Sequence, residues 1–333
     1  MRINHAALLR ALPSDQLEEF VDDWLDQRTK LYIEHELWRG TGDMGRDVTG
    51  YLTTQRMEGA WDNFQCKQLN EKLSEASAFV ELGKIFMHAA ADAYSLPNSY
   101  TFVAPRGVVR RVQHFVAHPK AFQQAIIDQW DEVIASRLVE KSTILLCPQI
   151  RHQIKSFNFT KIYWLDATRL VNDPSAMPAL VKWFDADPGP WLREVVPSEI
   201  QVGESSYISQ LLQLYAAKGP REYPDAATAL ASTEHGAHLR DQRTRFFDAM
   251  AFDRFYRDST PADYLPAFKE EIYHGVVDTH RDDYASGLTR LNEVMKRAGV
   301  LQPSGILGKH AGIPVKQGTC HQFSNEGRLP WHP

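Results

Sequence analysis

An acid, an amide and an amine stand at strand spacing between Gly42 and Gln68, in GDMGRDVTGYLTTQRMEGAWDNFQCKQ. The stretch reads as a turn, a strand, a connection and a second strand. Successive strand side chains point to opposite faces. Asp47, Thr49 and Tyr51 therefore share one face of the first strand, and Asn63, Gln65 and Lys67 share one face of the second. Val48, Gly50 and Leu52, with Phe64, Cys66 and Gln68, take the other faces. On one side of such a hairpin the Asp47 carboxylate, the Gln65 amide and the Lys67 ammonium converge. A carboxylate and a carbonyl oxygen can hold a hard divalent cation. An ammonium beside them can orient an attacking water or offset charge on a phosphate. These are the parts of a metal-dependent phosphodiesterase. The bland alternative, a surface ion pair between Asp47 and Lys67, would contribute little.

The elements around the hairpin decide what else reaches it. Pro13-Ser14 opens a helix, with Ser14 as N-cap and Asp15 in the first turn. Leu17, Phe20, Val21, Trp24 and Leu25 form its apolar stripe. Glu18 lies at the rim of that stripe, where a carboxylate can look along the sheet toward a metal. Glu19 falls on the solvated side. Lys30 to Arg39 fits a strand or a helix end, and its Glu34 and Glu36 rival Glu18 for the second carboxylate. Gly40 and Gly42 punctuate the chain, and Asp43 suits a turn. A helix through Phe79 to Phe86 follows, then a strand ending at Pro105, then a helix over Phe122 to Leu138. Strand–helix–strand alternation indicates an α/β domain. Arg106, Arg110 and Arg111 head a basic run that suits phosphate binding.

Turn formers cluster at Asp185-Ala-Asp-Pro-Gly-Pro, which sets a domain boundary: residues 1–188, then residues 189–333. Beyond it the apolar spacing is helical, through Tyr207–Tyr215, Leu239–Phe255, Phe268–Val277 and Leu288–Met295. The last thirty residues, with Gly305, Gly308, Gly312 and Pro314, read as a tail of turns. The His235 and His238 pair reads as a helix start capped by Ser232 or Thr233, since zincins space their histidines at i and i+4. Cys320-His321 reads as packing. No nucleophile elbow and no Walker loop occurs.

With 333 residues, 43% hydrophobic and 24% charged, the composition is that of a globular chain of about two domains. A net charge of −5 argues against a passive nucleic-acid coat but allows an enzyme with a local basic patch. Three dispersed cysteines form no disulfide framework, and no signal or membrane-length segment is visible, so a cytoplasmic protein is expected.

The order of acid strand followed by Gln-x-Lys strand resembles the PD-(D/E)XK nuclease superfamily, in its restriction-like branch where Gln replaces the second acid. Leu17-Glu18-x-x-Val21 resembles the Phe-Glu-x-x-Val helix before the acid strand there, with Leu for Phe. The resemblance implies a restriction-endonuclease-like α/β N-terminal domain followed by a mostly α-helical domain. It assigns Asp47, Gln65, Lys67 and Glu18 to the catalytic site, and Asp47, Gln65 and Glu18 to a Mg²⁺ ion, for which Mn²⁺ can substitute. Both halves together resemble the effector of Lamassu, the SMC-containing branch of the three-component ABC ATPase defence systems. The N-terminal half is also similar to the nuclease domain of CBASS effectors. The C-terminal strings that carry the likeness are HGAHLRDQRTRFFDAMAFDRFYRD, EEIYHGVVD and VKQGTCHQFSNEGRLPW. The implied function is antiphage cleavage of double-stranded DNA. The chain would be silenced by an SMC-like ATPase and a small accessory subunit, then released to form a homo-oligomer. The rival readings are a nuclease fold that holds DNA without cutting it, and a structural subunit of the ATPase complex.

Overall fold

The computed structural model describes residues 3–28, 30–40, 42–218 and 223–332. The chain divides into two compact units, Met1–Ala186 and Asp187–Pro333.

The first unit begins with α1 (His5–Ala11) and α2 (Ser14–Asp26), followed by β1 (Glu34–Leu37), β2 (Val48–Tyr51) and β3 (Trp61–Cys66). Then come α3 (Glu75–Ala90), β4 (Ser99–Val103), α4 (Arg110–Ala117), α5 (Pro119–Asp128), α6 (Pro148–Ser156) and β5 (Ile162–Leu165), before α7 (Ala167–Val171) and α8 (Met177–Phe184). The strands form one sheet in the order β1-β2-β3-β4-β5. β1 to β3 pair antiparallel, and β3, β4 and β5 pair parallel. Parallel neighbours need crossovers, which α3 and then α4 to α6 supply.

The hairpin register puts Thr49 opposite Asn63 and Tyr51 opposite Trp61. Tyr100 lies beside Asn63, and Phe102 beside Gln65. On this face Tyr51, Trp61, Tyr100 and Phe102 share a core with Phe79, Leu82 and Phe86 of α3. The opposite face carries Val48 and Phe64 and meets α2, whose Leu17, Phe20, Val21, Trp24 and Leu25 are buried. Trp24 stands edge-on to Phe64 with ring centroids 5.6 Å apart. At Gly50 any Cβ would lie 2.6 Å from the Tyr32 ring, so only glycine lets that ring lie on the strand.

Two local expectations change and one open alternative is decided. Ser14 is the first helical residue of α2, and Pro13, with its fixed φ, occupies the cap without a side-chain bond. Within Lys30–Arg39, left open between strand and helix end, Glu34–Leu37 is strand and pairs with β2. The helix expected over Phe122–Leu138 stops at Asp128 and widens into a π-turn at Trp130–Ile134. That turn buries Trp130 and lets its indole N–H reach the Ile144 carbonyl at 2.8 Å.

His35 ties the edge strand to α2. Its Nδ1 lies 2.7 Å from Asp22 and its Nε2 2.9 Å from Asp26, one helical turn apart. The hydrogen bond to Asp22, against the opposing effect of burial and with help from Asp26, raises its pKa from 6.5 to about 9. A raised histidine stabilises the fold fully below its unfolded value and loses that contribution as pH rises through its folded value. Wild-type melting temperature should therefore fall between pH 6.5 and 9 more steeply than that of His35→Gln, which should cost about 1 kcal/mol at pH 6. Thermal melts of both proteins across that range check it; parallel pH profiles would count against the clamp.

The second unit is helical: α9 (Ser205–Lys218), α10 (Ala226–Ala231), α11 (Gly236–Ser259), α12 (Tyr264–Arg281), α13 (Gly287–Val300), α14 (Gly305–His310) and α15 (Ile313–Asn325). The expected tail of turns is wrong. Gly305 opens α14, and α15 is the centre of the unit, with Val315 through Ser324 all buried against α9, α11, α12 and α13. The glycines and proline that suggested turns have other uses. Gly312 caps α15 and Pro314 sits in its first turn, where a missing N–H costs nothing. Gly318 is where α15 crosses α11: a Cβ there would lie 1.9 Å from the Arg245 carbonyl oxygen.

The tempting histidines are structural. His321 is fully buried between the Gln242 side chain at 2.9 Å and the Trp331 indole N–H at 3.1 Å, and burial pushes its pKa well down. His235 stacks on Tyr215 with centroids 4.3 Å apart, while His238 meets the Tyr215 hydroxyl at 2.7 Å. Ser232 caps the turn by accepting the Glu234 and His235 N–H groups.

Candidate active site

The end of the hairpin gathers the polar groups. Asp47 immediately precedes β2 and Lys67 immediately follows β3. Asp47 Oδ2 accepts the Gln65 side-chain N–H at 2.6 Å and the Cys66 backbone N–H at 2.7 Å. Those two donors fix the carboxylate. The turn before it is equally constrained. Asp43 accepts the Gly45 N–H at 2.8 Å, and the Asn63 amide donates to the Gly45 carbonyl at 3.3 Å. Gly45 has φ +82°, and a Cβ there would lie 2.9 Å from the Lys84 side chain. The Arg46 guanidinium is buried and stacks on Trp38 and Tyr94, 3.9 and 5.0 Å from their centroids.

Lys67 is held from the helix side. Its Nζ lies 3.0 Å from Glu81 of α3, and Lys84 lies 3.0 Å from the other Glu81 oxygen. Glu81 is buried and was missed by the sequence reading. It sits within the apolar run of α3, where helical spacing marks it as one polar break among core residues. No local pattern says that it faces a strand lysine.

The electrostatics show a shortage of positive charge. Burial raises the Asp47 pKa to about 6; Lys67 and the Cys66 N–H oppose this, and Glu81 adds to it. Burial, then the Asp47 charge, raises Glu18 to about 7 against the pull of Lys67. Burial works against the Lys67 ammonium, yet Glu81 and Asp47 outweigh it and the pKa rises. The Cys66 thiol is fully buried and pushed well up, so it stays protonated.

The structure thus brings Asp47, Gln65 and Lys67 together and couples Glu18 to them. Glu34 and Glu36 are drawn away: Glu34 pairs with Arg56 at 3.0 Å, and Glu36 accepts the Tyr51 hydroxyl at 2.7 Å. Glu19 pairs with Arg39. In the basic run, Arg111 pairs with Glu75 at 2.8 Å and Arg106 donates to the Leu69 carbonyl at 3.0 Å, while Arg110 is exposed at the start of α4. As oriented, Gln65 offers its NH₂ to Asp47, and its carbonyl oxygen lies 3.4 Å from the Tyr100 hydroxyl. A ligating role for that oxygen requires the amide to turn over.

Among the described residues, no three His, Cys, Asp or Glu side chains converge closely enough to enclose a metal ion. The oxygen donors present, with carboxylates whose protons are held by burial and mutual repulsion, fit a hard divalent cation that keeps most of its waters.

Residues 204–331 match the family model of C-terminal domain 6 of the ABC-three component (ABC-3C) systems. The second unit is similar to CTD6. The match supports membership of an ABC-3C defence system, and it covers the CTD6-like bundle alone. No curated protein and no solved structure matches the chain. No helix among the described residues is long and apolar enough to cross a membrane.

Proposed function

We propose that the chain is the Mg²⁺-dependent endonuclease effector of its ABC-3C system, of the Lamassu kind, with a restriction-like active site on the first unit. The observation that supports this most is the convergence of Asp47, Lys67 and Glu81 at one end of the sheet. Glu81 brings the carboxylate that Gln65 does not. Asp47 would hold the ion, and Glu18 and Glu81, which are coupled to it electrostatically, would act through water. The chemistry such an ion would supply when bound is a lowered pKa for water, and so a nucleophile near neutral pH. Gln65 and the Cys66 N–H keep Asp47 in one orientation. Lys67, steered by Glu81, donates to the attacking water and offsets charge accumulating on the phosphate. The CTD6-like unit docks on the SMC-like ATPase and its small accessory partner, which silence the nuclease. Release lets copies of the chain pair, bringing two single-strand cutting sites onto one duplex.

Metal uptake tests the site apart from turnover. Carboxylates with raised folded pKa values stabilise the metal-free protein fully below their unfolded values, and that stabilisation is lost as pH rises through about 6 to 7. An ion that replaces those protons therefore gains most at high pH. The rise in melting temperature on adding Mn²⁺ should grow from pH 5 to pH 8 and vanish in Asp47→Asn. A shift independent of pH, or one kept by Asp47→Asn, would place the ion elsewhere. Cleavage of duplex DNA that begins with Mg²⁺ and stops with EDTA is the functional readout.

A further inference from the structure

The sheet face that α2 covers is only partly covered. α2 packs on β1, β2 and β3. Across β3, β4 and β5 a matched row, Phe64–Thr101–Tyr163, floors a cavity of about 510 Å³. Tyr163 is 45% exposed there. One wall is Trp24 with Arg28, whose guanidinium lies 4.5 Å from the indole centroid. Arg169 and Lys161 also line the cavity, and Arg169 is held over the Trp164 ring, 3.6 Å from its centroid. At the end of the floor lies Asp62, 6% exposed. Its carboxylate accepts the Tyr32 hydroxyl and the Asn98 amide, each at 2.9 Å, and no Lys or Arg among the described residues forms an ion pair with it.

This combination selects a ligand. Aromatic faces take a flat π-system, as they do for bases splayed from a single strand. Cations at the rim take a phosphate. An ionised carboxylate is acceptor-only and takes N–H donors, such as the amino or imino groups of a base edge. A paired duplex offers none of its base faces. We propose that this cavity binds one unpaired nucleotide, its base against Tyr163 and its phosphate on Lys161 and Arg169. The pocket is formed by residues other than Asp47, Lys67 and Glu81. It rests on the nucleic-acid reading of the first unit only for the source of the nucleotide. A frayed end or flap would supply it as part of a strand, and a free mononucleotide would supply the same chemistry.

The test uses the full chain carrying Lys67→Ala in EDTA, so that no cleavage intervenes. Probes are a fluorescein-labelled single-stranded 12-mer, the blunt duplex of the same sequence, and dAMP and dGMP as competitors. The 12-mer should bind, and the Lys161→Ala/Arg169→Ala pair should weaken it about tenfold or more. Tyr163→Ala, at an exposed position with little effect on folding, should weaken it severalfold. Duplex affinity should not change. Competition by mononucleotide below about 1 mM assigns the pocket to free nucleotides as well; 12-mer binding without it restricts the pocket to strands. Equal 12-mer affinity in wild type, the double variant and Tyr163→Ala, or no binding of any probe, overturns the proposal. Loss of Mg²⁺-dependent cleavage in the parent chain with pocket binding intact would instead remove the nuclease reading and leave the pocket standing.

Discussion

Lys67→Ala should leave a folded protein whose Mg²⁺-dependent cleavage of duplex DNA is lower by about a hundredfold or more, the usual cost of removing one group that meets transition-state charge. The fold survives for a specific reason. Lys67 is 22% exposed at the end of β3, and its partner Glu81 keeps Lys84 at 3.0 Å when Lys67 is removed. Glu81 is therefore not left uncompensated, which is what makes breaking a buried pair costly, and Asp47, which loses the Lys67 charge, keeps its two N–H donors and can take up a proton. Glu81→Gln should also slow cleavage, because Lys67 then loses its positioning partner. Glu18→Gln should do so as well, and Glu19→Gln, whose carboxylate pairs with Arg39, should not. Cleavage rates beside far-ultraviolet circular dichroism separate chemistry from folding. Wild-type rates in a folded Lys67→Ala chain would remove the lysine from the mechanism.

Gly318→Ala should do the reverse. The added methyl would lie 1.9 Å from the backbone oxygen of Arg245 and 2.8 Å from the Ala249 side chain. A backbone atom cannot rotate away, so α15 must move off α11, and overpacking of this kind costs about 3 kcal/mol. α15 is the buried centre of the CTD6-like unit, so the whole bundle should lose stability. The unit with the candidate active site has its own core and should melt unchanged. Two-transition calorimetry should show one transition lowered by several degrees, with DNA cleavage kept and capture by the ATPase partner lost. A single unshifted profile would mean that α15 does not hold the bundle together.

What could be read from the sequence follows from how far each contact reaches along the chain. Strand alternation is a local rule. It placed Asp47 and Gln65 on one face, and the observed bond between them agrees. Glu81 escaped because its meaning depends on α3 lying against the end of β3, a packing that no spacing within α3 encodes. Glu36 was a fair rival until the β1–β2 register put it within reach of the Tyr51 hydroxyl. In the C-terminal helix, glycine and proline suggest turns by type alone. Gly312 instead caps α15 and Pro314 sits in its first turn, uses that a tally of turn formers does not distinguish. The half-open sheet face was likewise hidden, since Phe64, Thr101 and Tyr163 come from three separate strands.

The most direct measurement is cleavage of a linear and a supercoiled duplex by the purified full chain, free of its partners, with Mg²⁺ and with EDTA, beside the Asp47→Asn chain. Wild type should cut both substrates with Mg²⁺ only, and Asp47→Asn should cut neither while melting at or above the wild-type temperature. Wild-type protein that stays silent with Mg²⁺ and Mn²⁺ in every oligomeric state, or Asp47→Asn protein that cuts at the wild-type rate, would contradict the assignment of a phosphodiesterase centre to Asp47, Lys67 and Glu81.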